Sequence, residues 1–487
     1  MPPKPGPSTR KRNAPDSAQQ RSNASARNKR EVGKTSTDAA TQKPPREPAP
    51  TLNTAPTQRL DVYVFGTNCY GELGLGDATK KTEIPRPVLN PKLAADTVGV
   101  VDLAVGGVHS AALTYDNRIL TWGVNDEGAL GRDTTQDAEE IKMRSQSDSG
   151  SDSEDDEGNL NLKEATPLPV DPSHFPDRTI FTQLAATGSA TFALTAEGLV
   201  YGWGTFRGNS GEMGFSPGSK QQQRIPTLIS GLDHVVKLAA GSQHVLALTS
   251  KGTVFGWGCD DQHQLGRRRT HHQTSHCLVP AECALPSGII NIGVGSYHSF
   301  AIHKSGTVYA WGSNNYGQTA ILTGAGQSEA VVAYPTKVPS LKRTAKIVSI
   351  EGGKDHSLAV THEGECLSWG RIDNKALGLD VKDMPSSHIV YDAYERPRIL
   401  KAPTVVRNID QAIVSVGIGT DHSFAITEDG RAYSWGFNVQ NQAGQPGDVD
   451  EIVHPTLLSN KHVDGKKLVL AAAGGQFSLV AGEHTTK

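Results

Sequence analysis

The sequence predicts an all-β fold: a seven-bladed β-propeller of four-stranded blades, closed by pairing strands from the two ends of the chain, behind a disordered N-terminal tail. Three observations predict it. A phrase made of Gly-x-x-His, an apolar strand, a Gly turn and a strand closing on Trp-Gly recurs along the chain. All six tryptophans fall in those Trp-Gly pairs, so none is spare for a separate ligand site. The chain ends carry complementary halves of one further copy: Phe65-Gly66 has no Gly-x-x-His strand before it, and Gly474-Gly475-Gln476-Phe477 has no Trp-Gly strand after it. A ring that shares one blade between its ends needs such halves, whereas an open solenoid does not.

Residues 1–58 are rich in Pro, Ser, Ala, Lys, Arg, Asn and Thr. They have too few large apolar side chains to offset chain entropy, so the segment reads as disordered. Residues 1–59 hold twelve Lys/Arg against four Asp/Glu, and the remainder holds 36 against 47. The net charge of −3 therefore divides into a tail of +8 and a body of −11. Such a division suits a polyanion for the tail and a more basic partner for the body. Arg10-Lys11-Arg12 and Lys29-Arg30 read as a bipartite nuclear import signal, recognised by an import receptor, and as a DNA-phosphate contact; a merely solubilising tail is the plain alternative.

No stretch is long and apolar enough to span a bilayer, and the early positive charges lack the apolar core of a secretory signal. The five cysteines are scattered, odd in number and never paired as Cys-x-x-Cys, which fits free thiols in the cytosol or nucleus.

The propeller is expected over residues 59–484, with order beginning near Asp61. Its third full copy reads Gly241-Ser242-Gln243-His244, Val-Leu-Ala-Leu, Ser250-Lys251-Gly252 and Val254-Phe255-Gly256-Trp257-Gly258. Short runs of Val, Leu, Ile and aromatics joined by Gly turns are paired antiparallel strands. The phrase returns with His109 and Trp122, Thr191 and Trp203, His298 and Trp311, His356 and Trp369, and His422 and Trp435, always 12 or 13 residues apart. A period of roughly 60 residues exceeds that of WD40 or kelch repeats and leaves room for long loops. Residues 133–165 interrupt the pattern with an acidic, serine-rich insertion, expected to be a disordered, phosphorylatable loop.

With Leu-Gly-Leu-Gly-Asp at 73–77 and Asn-Asp-Glu-Gly-Ala-Leu-Gly-Arg-Asp at 125–133, the repeat resembles the regulator of chromosome condensation family over residues 61 to about 482. The same propeller serves ligases, photoreceptors and scaffolds, so the fold alone does not give the function. One departure does point to a function. After the second Trp-Gly the chain reads Thr205-Phe206-Arg207-Gly208-Asn209-Ser210-Gly211-Glu212-Met213-Gly214-Phe215, where other copies read Asn-x-x-Gly-x-x-Gly. This resembles the β-wedge that the family's Ran exchange factors press against the GTPase. Three glycines suit a hairpin that must approach a foreign backbone. The run leads into a Pro- and Gln-containing stretch and not a helix, so it is not a phosphate-binding loop.

The resemblance implies a guanine-nucleotide exchange factor for nuclear Ran, chromatin-associated and acting without covalent chemistry or cofactor. The wedge would be Arg207–Phe215, and Gln243, Arg267 and Asp355 would lie on the Ran-facing surface. Arg268 and Arg269 would reach the nucleosome's acidic histone patch, a match for the planar arginine fork. Gln243 stands where the better-known member has its catalytic aspartate, Asp355 where it has a histidine, Phe477 where it has another histidine, and Cys69 where it has an acid. These departures keep open a second reading, a propeller scaffold that binds chromatin or proteins without exchange.

The recurring histidines read as hydrogen-bonded strand anchors and not as a catalytic ring. The residues taken to precede them, Val108, Ala190, Gln243, Tyr297, Asp355, Asp421 and Gln476, should gather on the binding face. His271, His272, His276, Cys277 and Cys283 have no zinc spacing and read as a plain loop. No Ser, His and acid constellation is legible.

Overall fold

The computed structural model describes residues 51–136, 160–267, 274–342, 346–447 and 449–485. Seven antiparallel sheets follow one another along the chain, each a blade. Blade 1 comprises Val100–Val105, His109–Thr114, Ile119–Gly123 and Leu168–Pro169. Blades 2 to 6 begin at Phe181, Val235, Ile289, Ile347 and Ile413. Blade 7 is composite. Leu468–Ala473 and Phe477–Glu483 come from the C-terminal end, and Leu60–Thr67 and Glu83–Leu89 from the N-terminal end. Leu60–Thr67 zips against Phe477–Glu483 from Leu60 opposite Glu483 to Gly66 opposite Phe477, the ring closure expected from the half-repeats.

First strands of successive blades meet around the axis, and a hydrophobic cluster fills each space between blades. Outer strands would leave open edges. They carry Pro85, Pro87, Pro169, Pro226, Pro335, Pro403 and Pro455, which remove donors where another chain could pair. Blade 5 has an additional strand, Ile389–Tyr391, on a small core of Ile372, Leu377, Leu379, Met384, Ile389 and Leu400, which the repeat pattern did not announce.

The histidines are indeed anchors. Each buried imidazole bonds, through Nε2, a hydroxyl of the next blade: His109 to Thr191 and His244 to Ser299 at 2.9 Å, His298 to Ser357 at 2.8 Å, His356 to Ser423 at 2.9 Å, and His422 to Ser478 at 2.8 Å. That hydroxyl donates to a loop carbonyl of the preceding blade: Ala129, Gln264, Gln318, Ala376 or Gln442. The first four carbonyls also accept the indole N–H of Trp203, Trp311, Trp369 and Trp435, each at 2.8 Å. Because the hydroxyl hydrogen is spent on the carbonyl, Nε2 must carry the imidazole proton. The ring is neutral, and burial lowers these histidines to about 3 or 4.

This network corrects one marker. Ala190, not Thr191, faces Gly204 as His109 faces Gly123, so Thr191 is the hydroxyl of the relay and Ser189 precedes the anchor position. Two expected boundaries also shift. Leu52 and Asn53 already bond the Ala196 carbonyl, and the Asn53 side chain bonds those of Thr195 and Val235, so the body reaches back before residue 59. The ends of the 133–165 insertion are clasped: Asn161 Nδ2 bonds the Thr134 carbonyl at 3.0 Å and Thr134 Oγ1 bonds Glu164 at 2.8 Å, beside a helical turn at Leu162–Ala165. Residues 137–159, with the acidic serine run, lie outside the described residues.

The depressed histidines fix the sign of a pH dependence. The unfolded chain takes up these protons near pH 6.5 and the folded ring only near 3 or 4, so the stability the five histidines contribute is full above pH 6.5 and falls as pH drops toward 4, outweighing the opposite contribution of the burial-raised Asp102 and Glu351 carboxyls. Urea midpoints across that range should fall, and His298→Gln should flatten the slope. A loop glycine gives a second test. Gly266 has φ +58°, and a Cβ there would sit 2.6 Å from Trp311 Nε1. Gly266→Ala should cost about 2–4 kcal/mol in urea unfolding.

A wedge and groove on one face of the ring

Turns between first and second strands, and connections between third and fourth strands, share one face of the propeller. In most blades the latter connection supplies the relay carbonyl. In blade 2 it does something else. Phe206–Gly208 and Gly211–Gly214 form a separate two-stranded hairpin turning at Asn209-Ser210. Its feet are Phe206 and Phe215, both buried and stacked on each other at 5.9 Å, with Phe192 edge-on to Trp257 at 5.7 Å beneath. Arg207, Asn209, Ser210 and Glu212 are exposed, and Gly208, Gly211 and Met213 are half-buried. Gly214 needs its glycine: φ is +89°, and a Cβ would meet the Ser219 carbonyl at 2.1 Å.

The hairpin costs blade 2 its relay. Ala190 stands at the histidine position, Val245 at the next blade's hydroxyl position, and the Trp257 N–H has no partner. The aromatic stack takes over the packing there. Neighbouring blades then hold the hairpin through polar side chains. Gln243 Oε1 accepts from the Arg207 N–H at 2.7 Å, the Arg207 guanidinium pairs with Glu127, and Asp261 Oδ2 accepts from the Asn209 N–H at 2.6 Å.

Beside the hairpin opens a groove of about 740 Å³ across blades 2 to 5, walled by Arg207, Gln243, Asp261, Tyr297, Tyr316 and Asp355 among others. Two of the three residues expected on the binding surface, Gln243 and Asp355, line it. Asp355 is only 6% exposed, and burial pushes its carboxyl up while Arg371 at 3.4 Å and Lys354 draw it back. Arg371 also pairs with Asp373 at 2.5 Å, which raises the guanidinium, and lies over the Tyr316 ring. Arg398 covers the same ring and donates to its hydroxyl at 3.1 Å.

The third, Arg267, is not in this groove. Its guanidinium donates to the carbonyls of Gly256, Val279 and His276 in its own blade, as Arg132 does to Thr121 in blade 1. Arg268, Arg269 and the tail residues Arg10, Lys11, Arg12, Lys29 and Arg30 lie outside the described residues. Cys69 is exposed in blade 7's connection. Phe477 is wholly buried at the anchor position of blade 7, and Ser110, the hydroxyl a histidine there would meet, has no partner. Sequence reasoning missed Asp261, Glu127 and Tyr316, each in a connection, and Arg371, at the strand end that leads into one, because the residues there differ between copies.

A family model described as the RCC1-like domain matches residues 61–480. The protein pim1 of Schizosaccharomyces pombe is 40% identical, over 88% of this chain and 75% of its own length. The guanine nucleotide exchange factor SRM1 of Saccharomyces cerevisiae is 35% identical, over 87% and 88%. The crystal structure of Prp20p from S. cerevisiae, characterised with its binding to Gsp1p and histones, superposes with a TM-score of 0.79 at 33% identity, covering 90% of this chain and 94% of that one. The same yeast protein has also been solved bound to Kap60. A ring closed by its own two ends and repeat copies matching that model over residues 61–480 place this chain in the RCC1-like family.

Proposed function

We propose that this chain is the guanine-nucleotide exchange factor of a Ran-type nuclear GTPase and promotes GDP release on chromatin. One observation carries the reading: a hairpin replaces the relay-bearing connection in a single blade and stands beside a polar groove of about 740 Å³ on the same face. A connection that only had to hold the ring together would keep the relay. The similarity to SRM1 and to Prp20p supports the same reading.

Exchange by this route needs no bond making. The hairpin and groove fit the nucleotide-free GTPase better than the nucleotide-bound form, and that difference lowers the barrier to release. A thousand-fold acceleration requires about 4 kcal/mol of preference. The surface offers charged and polar contacts for it: Arg207 and Glu212 on the hairpin, and Lys354 and Asp355 in the groove. Gln243 takes the catalytic aspartate's position with an acceptor oxygen that binds a wedge amide, so the substitution keeps an interaction an aspartate could also make. Direction comes from the cellular excess of GTP over GDP. The basic tail, with Arg10-Lys11-Arg12 and Lys29-Arg30, serves import into the nucleus and DNA-phosphate contact, and Arg268 and Arg269 serve the histone surface. Localisation to the nucleus follows from the same reading.

The test is release of a fluorescent GDP analogue from purified Ran by substoichiometric protein. The wedge variant should keep Phe206 and Phe215, since both are core residues, and replace Arg207–Met213 with a short Gly linker. Multiple-turnover release by the native chain should fall at least about a hundredfold in the variant, with an unchanged thermal transition. A native chain that is folded and accelerates nothing leaves the binding scaffold as the better account.

A further inference from the structure

We infer that Asp261 is a positioning residue: its carboxylate fixes the wedge from the neighbouring blade, and Gly208 is glycine so that it can. The inference rests on the exchange reading for its activity readout only.

Blades joined by the full relay have their connection pinned twice, by a hydroxyl and by an indole N–H on one carbonyl. The wedge blade has neither, since Val245 has no hydroxyl and the Trp257 N–H is unpaired. Below the hairpin, Phe206 and Phe215 hold its feet. Above them, something must hold the tip. Asp261 Oδ2 accepts the Asn209 N–H at 2.6 Å, at the turn residue itself, a charge-assisted bond of the stronger kind. The same oxygen lies 2.9 Å from where a Gly208 Cβ would be. Gly208 has no positive φ, so its backbone does not demand glycine. The approach of the carboxylate does. Gln243, one strand turn away, holds the Arg207 N–H, so two side chains of blade 3 grip successive amides along one edge of the hairpin. A wedge held this way presses on its target without bending, and deformation consumes none of the binding energy.

The experiment uses the full chain with Asp261→Ala, Asp261→Asn and Gly208→Ala. Steady-state release of fluorescent GDP from Ran is run beside hydrogen–deuterium exchange of the peptide spanning the hairpin. Expected is a fall of about tenfold in maximal exchange rate for D261A and G208A, with the half-saturating Ran concentration and thermal transition unchanged. D261N should recover most of the rate, because its amide oxygen still accepts the Asn209 N–H. Faster amide exchange in the hairpin should accompany D261A and G208A but not D261N. Native-like rate and protection in D261A overturn the inference. A rise in half-saturation shared by D261A and D261N also overturns it, by making Asp261 a direct contact of the GTPase. If the native chain itself releases no GDP, the exchange reading fails, and hairpin protection alone decides the positioning role.

Discussion

The ring depends on one repeated relay: imidazole to hydroxyl, hydroxyl to carbonyl, carbonyl to indole. Blades of a propeller share no backbone ladder, so something directional has to set each blade's rotation against the next. Apolar packing between sheets is strong but non-directional. The relay supplies direction, because four buried groups from two blades satisfy each other only at one spacing. It also explains the repeat phrase. The first Gly of Gly-x-x-His is there because the imidazole lies against it; a Cβ on Gly241 would sit 2.4 Å from the His244 ring. The Gly after the connection's Leu is there because the next blade's tryptophan lies on it.

The relay is incomplete in three places, and the breaks differ in kind. Between blades 6 and 7 only the indole is lost, to Phe65, which lies on Gly444 as the tryptophans lie on their glycines. At blade 7 only the histidine is lost, to Phe477, and the orphaned Ser110 hydroxyl is the local consequence. There the paired chain ends already lock the geometry, with seven facing residues from Leu60 to Gly66. At blade 2 the imidazole and the hydroxyl are both lost and the Trp257 indole is left without an acceptor, and the replacement is aromatic: Phe192, Phe206, Phe215 and Trp257 packed together. Aromatic packing tolerates a loop of another shape, because it asks for area and edge-to-face geometry and not for one acceptor at one point. That tolerance is what lets a hairpin stand up from this blade.

How much of this was legible in the sequence follows from the same logic. The ring, its blade count and its closure were legible because the relay forces the same residues to recur, and the hairpin of blade 2 was legible as the copy that departs. The one-residue slip at Thr191 arose where the anchor itself is missing. With Ala190 in place of histidine, the sequence offers Thr191 as the marker, and only the pairing of Ala190 with Gly204 restores the register. Arg267 has its expected place on the binding surface only from the family pattern, and the structure shows its guanidinium held by three carbonyls of its own blade. The groove walls were legible only where they fall in the recurring turn or the departing copy, as at Gln243, Tyr297, Asp355 and Arg207. Asp261, Tyr316 and Arg371 meet through the ring and not along the chain, and nothing in a period of repeats says which variable residues will face each other.

The face that results is polar, and this bears on what it can recognise. An apolar patch would hold a partner by buried area alone and would bind every nucleotide state of it similarly. A face of paired charges discriminates better, because a state that presents its own charges out of register leaves some of them desolvated and unpaired. The arginines here are already engaged, Arg371 with Asp355 and Asp373 and Arg207 with Glu127, so a partner must exchange one charged contact for another. Such exchange favours a partner whose charges move as it changes state. A protein that must bind the nucleotide-free form of a GTPase tightly and then release it on loading gains from that arrangement. The stiff ring supplies the fixed reference against which the partner's own shape has to change.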